Sequence, residues 1–179
     1  MSYRPITDIW ILARPKVKYY GAYPSGFLER AKPLIGCGTL GSQVLHVCGG
    51  HAKHYPYDKG FLGFGNNDAT MDIDPETQPT FLGDALDPAT WRLISDPDGI
   101  IIDPPYTPED ASKYRIPNYP APNALLSICL DHVPVGGMVG MLHYVLPQPP
   151  KTAKFIACIG VIVGYNNRMR TFSVFQRRQ

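Results

Sequence analysis

Apolar positions along the chain fall in short runs closed by glycine, proline or aspartate. Gln43 to Cys48, Ala69 to Ile73, Thr80 to Leu82, Gly99 to Asp103 and Gly137 to Tyr144 read as strands on that pattern. Their apolar character is continuous instead of alternating, so both faces need cover, as in a parallel sheet flanked by helices. Helical spacing is scarcer. Asp87 to Ser95 opens on Asp-Pro, a cap and first-turn pair, and Asn123 to Val133 sets Leu125, Ile128 and Cys129 on one face with Asn123 as cap. Between Asp74 and Thr80 there is room for about one helical turn. Phe155 to Val163 and Met169 to Gln176 are β-rich and flank Gly164-Tyr165-Asn166-Asn167-Arg168, which predicts a hairpin with the last strand antiparallel. The pattern as a whole predicts a pared-down α/β fold.

Composition narrows this picture. At 179 residues the chain suits one domain, residues 1–179, with no internal boundary. A formal charge of +2 is too small for indiscriminate binding to a polyanion, although Arg4, Arg14, Lys16 and Lys18 at one end, and Arg168, Arg170, Arg177 and Arg178 at the other, form local basic clusters. Cys37, Cys48, Cys129 and Cys158 show no C-x-x-C spacing and suit reduced thiols, hence a cytoplasmic setting. No signal-peptide pattern is present, and Phe155 to Tyr165 falls short of the roughly 20 residues of a membrane helix.

The most informative segment is Gly99-Ile100-Ile101-Ile102-Asp103-Pro104-Pro105-Tyr106. Ligands of open α/β sheets bind at the carboxyl ends of strands, where this tetrapeptide falls. Two prolines fix φ and remove two backbone donors, leaving a stiff, acceptor-rich edge. Such an edge suits an aromatic amine, whose lone pair is drawn out of the ring when its N–H groups donate to Asp103 and to the Pro104 carbonyl. Tyr106 offers a face on which an unstacked base can lie.

The tetrapeptide resembles the Asp-Pro-Pro-Tyr signature of class I S-adenosylmethionine (SAM)-dependent amino-methyltransferases of the DNA adenine-N6 type. That resemblance implies a minimal Rossmann-like domain, mostly parallel with a C-terminal antiparallel hairpin. It implies SAM as cofactor and Asp103, Pro104, Pro105 and Tyr106 as catalytic residues. The target is the N6 of adenine in DNA or RNA, with guanine N2, cytosine N4 and a noncatalytic SAM-binding subunit as alternatives. Other segments follow the family order. Val44 to Gly50 is similar to the glycine motif, placing Cys48, Gly49 and Gly50 against SAM, although His46 stands where the family has an acid and Gly-Gly replaces Gly-x-Gly. Asp72 corresponds to the ribose acid, with Asp74 as its competitor and alternatively a turn cap. Asp84 and Ala85 correspond to the segment that meets the SAM adenine. Ser25 and Gly26 resemble the segment that presents a helix start to the methionine carboxylate, with Ser25 as cap; a structural turn with Phe27 in the core is the other reading.

A substantial target-recognition domain is missing. The loop from Thr107 to Pro122 carries Lys113, Tyr114, Arg115 and Tyr119, basic and aromatic groups suited to phosphates and an unstacked base. An accessible or flipped base in nucleic acid is therefore the expected partner, with a homodimer or a separate recognition subunit as further possibilities and no membrane. His46, Cys48, His51 and His54 lack the paired spacings of a zinc site, and no metal is expected. His51, His54, Tyr55 and Tyr57 instead suit a loop at the mouth of the site.

Overall fold

The structure is a computed structural model and describes residues 3–14, 23–54, 63–114, 116, 118–164 and 166–179. Among these, the strands β1 (Ile6–Leu12), β2 (Val44–Val47), β3 (Ala69–Asp72), β4 (Phe81–Leu82), β5 (Gly99–Ile102), β6 (Met138–His143), β7 (Ala153–Val163) and β8 (Asn166–Arg177) form one eight-stranded sheet. Its order is β1-β7-β8-β6-β5-β2-β3-β4. Every pairing is parallel except the two made by β8, which runs against its neighbours β6 and β7. The α/β class, the mostly parallel sheet and the antiparallel terminal hairpin are thus as the pattern predicts. Four α-helices among the described residues accompany the sheet: α1 (Phe27–Leu34), α2 (Pro88–Trp91), α3 (Pro108–Lys113) and α4 (Pro122–Asp131). No helix among the described residues is long and apolar enough to cross a membrane.

The five strands expected upstream of the hairpin lie within about a residue of their predicted bounds, the usual scatter of strand ends. All four β5 residues are buried, and they divide between two layers. Ile101 joins Trp10, Phe27, Leu28 and Phe172 on one face, whereas Ile100 and Ile102 join Leu45, Trp91, Leu125 and Leu126 on the other. Cover on both faces explains why β5 shows no alternation.

Several expectations need correction. Ser25 does not cap α1: its N–H is held by the Ala13 carbonyl at 3.1 Å, and the cap position falls to Gly26 at φ +77° with no side-chain cap. Phe27 is fully buried, as the core-turn reading expects. Asn123 does not cap α4, because Pro122 takes the first helical position and moves the start forward; the Asn123 side chain instead accepts the Gln148 N–H at 2.9 Å. Asp87 does cap α2, accepting from Ala89 at 2.9 Å, but that helix ends at Trp91, short of Ser95. The expected loop after Thr107 contains α3, capped by Thr107 Oγ1 on the Asp110 N–H at 3.1 Å and started by Pro108. The hairpin turn is tighter than expected, since Val163 already pairs with Asn166; Tyr165 lies outside the described residues.

β1 was not anticipated. It joins the sheet edge beside β7, burying Trp10 and Leu12 while leaving Ile9 and Ile11 60% and 76% exposed. Because isoleucines occupy its outer positions 9 and 11, the usual apolar–polar alternation of an edge strand is missing.

Gly140 of β6 shows how closely the layers meet. A Cβ there would lie 2.4 Å from Phe172 Cζ and 3.2 Å from Ile35 Cγ2, and Phe172 is itself packed edge-on against Phe27 at 5.0 Å. Gly140→Ala is therefore expected to destabilise the chain by about 1–3 kcal/mol through overpacking. Adding Phe172→Leu should return part of that loss. Urea unfolding of the single and double variants measures both, and a Gly140→Ala chain as stable as wild type would contradict this packing.

Candidate active site

The chain leaves β2 toward β3 and β4 on one side and returns to β5 on the other, so the strand order reverses between β2 and β5, and the carboxyl ends of strands at such a point are where open α/β sheets bind ligands. Cys48, Gly49 and Gly50 follow β2 directly. Cys48 is left-handed at φ +54° and Gly50 at φ +48°, so the two positions demanding that conformation are two apart. A non-glycine residue there is uncommon and carries strain. Gly49 is packed tightly, for a Cβ would meet the His46 carbonyl oxygen at 2.8 Å, whereas the space at Gly50 is open.

Asp72, the last residue of β3, accepts the Gly50 N–H through Oδ2 at 2.8 Å and the Asp74 N–H through Oδ1 at 3.0 Å. Burial raises its carboxyl above the ordinary value, partly opposed by those backbone bonds. Asp74 caps the short turn Pro75–Thr77, accepting from Glu76 at 2.9 Å. Asp84, just beyond β4, accepts from Leu86 at 2.8 Å, and the buried Ala85 offers its carbonyl to Trp91 Nε1 at 2.9 Å. Cys48 connects these groups: burial drives its thiol well above the usual range, reinforced by the nearby charges of Asp72, Asp103 and Asp84.

β5 delivers Asp103, whose N–H is held by the Val47 carbonyl at 3.2 Å, followed by the buried Pro104 and Pro105. The Tyr106 hydroxyl donates to Asp103 Oδ1 at 2.6 Å. Around the Tyr106 ring stand Tyr144, tilted at 4.6 Å, and His143, edge-on at 5.4 Å. The Val145 N–H donates to His143 Nδ1 at 2.9 Å, which leaves Nε2 as the protonated nitrogen of the neutral ring, facing the Tyr119 hydroxyl at 3.4 Å. Tyr119 in turn donates to the Tyr106 carbonyl at 3.2 Å. Burial pushes the Asp103 carboxyl up to about 6, against the lowering effects of the Arg170 guanidinium and the Tyr106 hydrogen bond.

The structure thus brings Cys48, Gly49, Gly50, Asp72, Asp84, Asp103 and Tyr106 to one edge of the sheet and adds Tyr119. Lys113 instead pairs with Asp110 along α3 at 2.8 Å, and Tyr114 lies exposed at the end of that helix. Arg115, together with Tyr55, Tyr57, Lys16 and Lys18, lies outside the described residues. His46 is fully buried, and no group of three or more metal-binding side chains occurs among the described residues. Sequence reasoning missed His143, Tyr144 and Arg170 at the site. The first two end a predicted strand and were open to the same carboxyl-end rule; Arg170 needed the sheet order.

No family model matches the chain, and no curated protein matches it. Solved structures do share its fold. TrmN from Thermus thermophilus superposes with a TM-score of 0.61 at 15% identity, over 87% of this chain and 49% of its own, so the chain spans about half of that protein. The rRNA methyltransferase aviRa from Streptomyces viridochromogenes gives 0.56 at 13% identity, over 90% of this chain and 88% of its own. An rRNA methylase from Streptococcus thermophilus gives 0.51 at 10%, over 88% and 99%. The likeness at these identities is one of architecture: the chain has a methyltransferase fold.

The raised Asp103 value carries a stability consequence. A carboxyl that titrates at about 6 when folded and at its ordinary 3.8 when unfolded favours folding below that lower value and loses the contribution as pH rises through 6. Asp103→Asn cannot ionise, so its stability relative to wild type should grow between pH 4 and 6 and level off above, by roughly 1–3 kcal/mol. Denaturant melts of both chains across that range test this, and a difference independent of pH would refute it.

Proposed function

We propose that this chain transfers a methyl group from SAM to an exocyclic amino nitrogen of a nucleobase in DNA or RNA, with N6 of adenine as the target. The carrying observation is the Asp103 carboxyl beside the ring of Tyr106, at the strand end next to Asp72 and Asp84. An acceptor and an aromatic face side by side match the two demands of a base with a ring amine.

The residues present fit the cofactor. Asp72 accepts the Gly50 N–H through one oxygen and the Asp74 N–H through the other, and a carboxylate's roughly four acceptor sites leave capacity for ribose hydroxyls. Gly50 leaves open space where a side chain would stand, and Asp84 with Ala85 offers the acceptor and the small surface that an adenine ring needs. Cys48 lies between these acids with its thiol protonated, a compact neutral wall. SAM, when bound, supplies a methyl group already activated on its sulfonium.

At the reaction centre, the Tyr106 hydrogen bond uses one lone pair of Asp103 and leaves others for an incoming N–H. The Pro104 carbonyl is the second acceptor, held rigid by the ring that follows it. Together they orient the amine and concentrate its lone pair on nitrogen, the preorganised polar stabilisation that contributes most to such reactions. Tyr106 stacks on a base that has left its helix, as chemistry on a base requires. Tyr119 braces Tyr106 through a hydrogen bond to its carbonyl.

Incubation with labelled SAM and defined DNA and RNA oligonucleotides, followed by nucleoside analysis, tests the proposal: label on N6-methyladenine supports it, and label confined to guanine or cytosine rejects the adenine target. Asp103→Ala should keep SAM affinity while lowering single-turnover transfer about a hundred- to a thousandfold. Asp72→Ala should weaken SAM binding by roughly 1.5–3 kcal/mol, more than Asp74→Ala, whose carboxylate is spent on a turn. Calorimetric titration reads the difference, and equal affinities for wild type and Asp72→Ala would show the ribose acid to be misassigned.

A further inference from the structure

The parallel strands bring Asp103, His143 and Tyr144 to one edge of the sheet, and β8, running the other way, begins at that edge. Thr171 pairs with His143, so Arg170 lies one residue nearer the site. Its Nη1 donates to the Tyr106 hydroxyl at 3.0 Å, that hydroxyl donates to Asp103 Oδ1 at 2.6 Å, and its guanidinium carbon stands 5.9 Å from the Tyr106 ring centroid. Arg170 is largely withdrawn from solvent, which works against its charge, yet Tyr106 and Asp103 more than compensate.

We propose that Arg170 is a positioning residue, which through the Tyr106 hydroxyl holds both the Asp103 carboxylate and the Tyr106 ring where a base's amine and face must meet them. This rests on the methyl-transfer reading above. A phenol has one hydrogen to give. With an Arg170 N–H donating into its oxygen, the Tyr106 hydrogen is directed to Asp103, and the ring is fixed about its own axis. Hydrogen bonds linked in this way polarise one another, and the guanidinium at their head stays charged at every working pH.

The titratable groups packed around the bridge are Cys48 after β2, Tyr119 beyond α3, and His143 and Tyr144 at the end of β6. Burial favours the protonated Cys48 thiol and the neutral form of the His143 ring. Among these described neighbours the charge is therefore carried by Arg170 and Asp103, and Asp103 ionises more readily because Arg170 is there.

The test follows the Asp103 carboxyl by nuclear magnetic resonance in carbon-13-labelled wild type and Arg170→Met, with Asp103→Asn identifying the signal. The midpoint should rise by about half a pH unit or more without the guanidinium. Single-turnover transfer from SAM to a single-stranded oligonucleotide containing all four bases should show the same shift, with a loss of about tenfold near pH 6.5 and unchanged SAM affinity. In a Tyr106→Phe background the same arginine change should cost less than about twofold, since the link through the hydroxyl is already gone. Should Arg170→Met not fold, Arg170→Gln, which keeps a donor without the charge, answers the same question. An unmoved carboxyl midpoint, or a rate loss of equal size with and without the Tyr106 hydroxyl, overturns the proposal. A wild-type chain that transfers no methyl group while the midpoint still moves overturns the functional reading instead.

Discussion

The buried carboxylate of Asp68 ties together the parts that set the position of the glycine loop. Its Oδ2 accepts from Lys32 at 2.8 Å and from the Gly65 N–H at 2.8 Å, and lies 3.4 Å from His46 Nε2; its Oδ1 accepts the Val44 N–H at 3.2 Å. Lys32 also donates to the Gly63 carbonyl, and Tyr23 closes the network on His46 Nδ1 at 3.3 Å. Burial acts to raise the Asp68 carboxyl, but the bonds from His46, Lys32 and Gly65 outweigh it and hold it below the ordinary value. Removing one partner from such a buried pair leaves an uncompensated charge, at a cost of about 3–5 kcal/mol. α1, β2 and the turn before β3 therefore stand or fall together, and the loop that leaves β2 inherits a fixed starting point. The network also gives His46 a physical reason. An acid at that position would set a second carboxylate against Asp68, whereas an imidazole bridges it to Tyr23.

Much of the sheet was legible because burial on both faces leaves a simple mark. Four consecutive buried residues in β5 cannot alternate, and the acid and prolines that end them stand out. What escaped was structure that burial does not write into sequence. β1 lies at an edge with isoleucines facing outward, so its pattern reads as a plain apolar patch. α3 has six residues and is defined by its Thr107 cap and Pro108, not by an apolar stripe. The glycine motif was half legible. The sequence shows only Gly49-Gly50 side by side, yet the left-handed positions are Cys48 and Gly50, two apart, and a cysteine in that conformation is not announced by its residue type. Arg170 was visible as one arginine in a basic cluster, and its role needed a contact across 64 positions of sequence.

Strand direction explains why so small a chain can assemble such a site. Parallel strands put their carboxyl ends on one edge, which is where Asp72, Asp84, Asp103 and His143 fall. A further parallel strand beside β6 would need a crossover and would add one more carboxyl end. The β7–β8 hairpin, whose strands already pair at Val163 and Asn166, reaches the same edge and adds the opposite end of a strand. It supplies the cation that the carboxyl ends, with their buried acids, do not provide.

That cation also bears on which amine the site suits. An isolated buried carboxylate is well matched to an ammonium ion, which it would bind in a charged form with no lone pair to attack. Here Asp103 is already balanced by Arg170 across a shared phenol, so the reaction centre is close to neutral when the carboxyl is ionised. A second cation entering beside the guanidinium would meet repulsion in a region shielded from solvent, where screening is weak. An aromatic amine is uncharged at ordinary pH and needs only an acceptor for its N–H and a face for its ring. For the methyl transfer proposed above, the balance of one acid against one arginine, with tyrosines around them, would disfavour alkyl amines and favour a nucleobase.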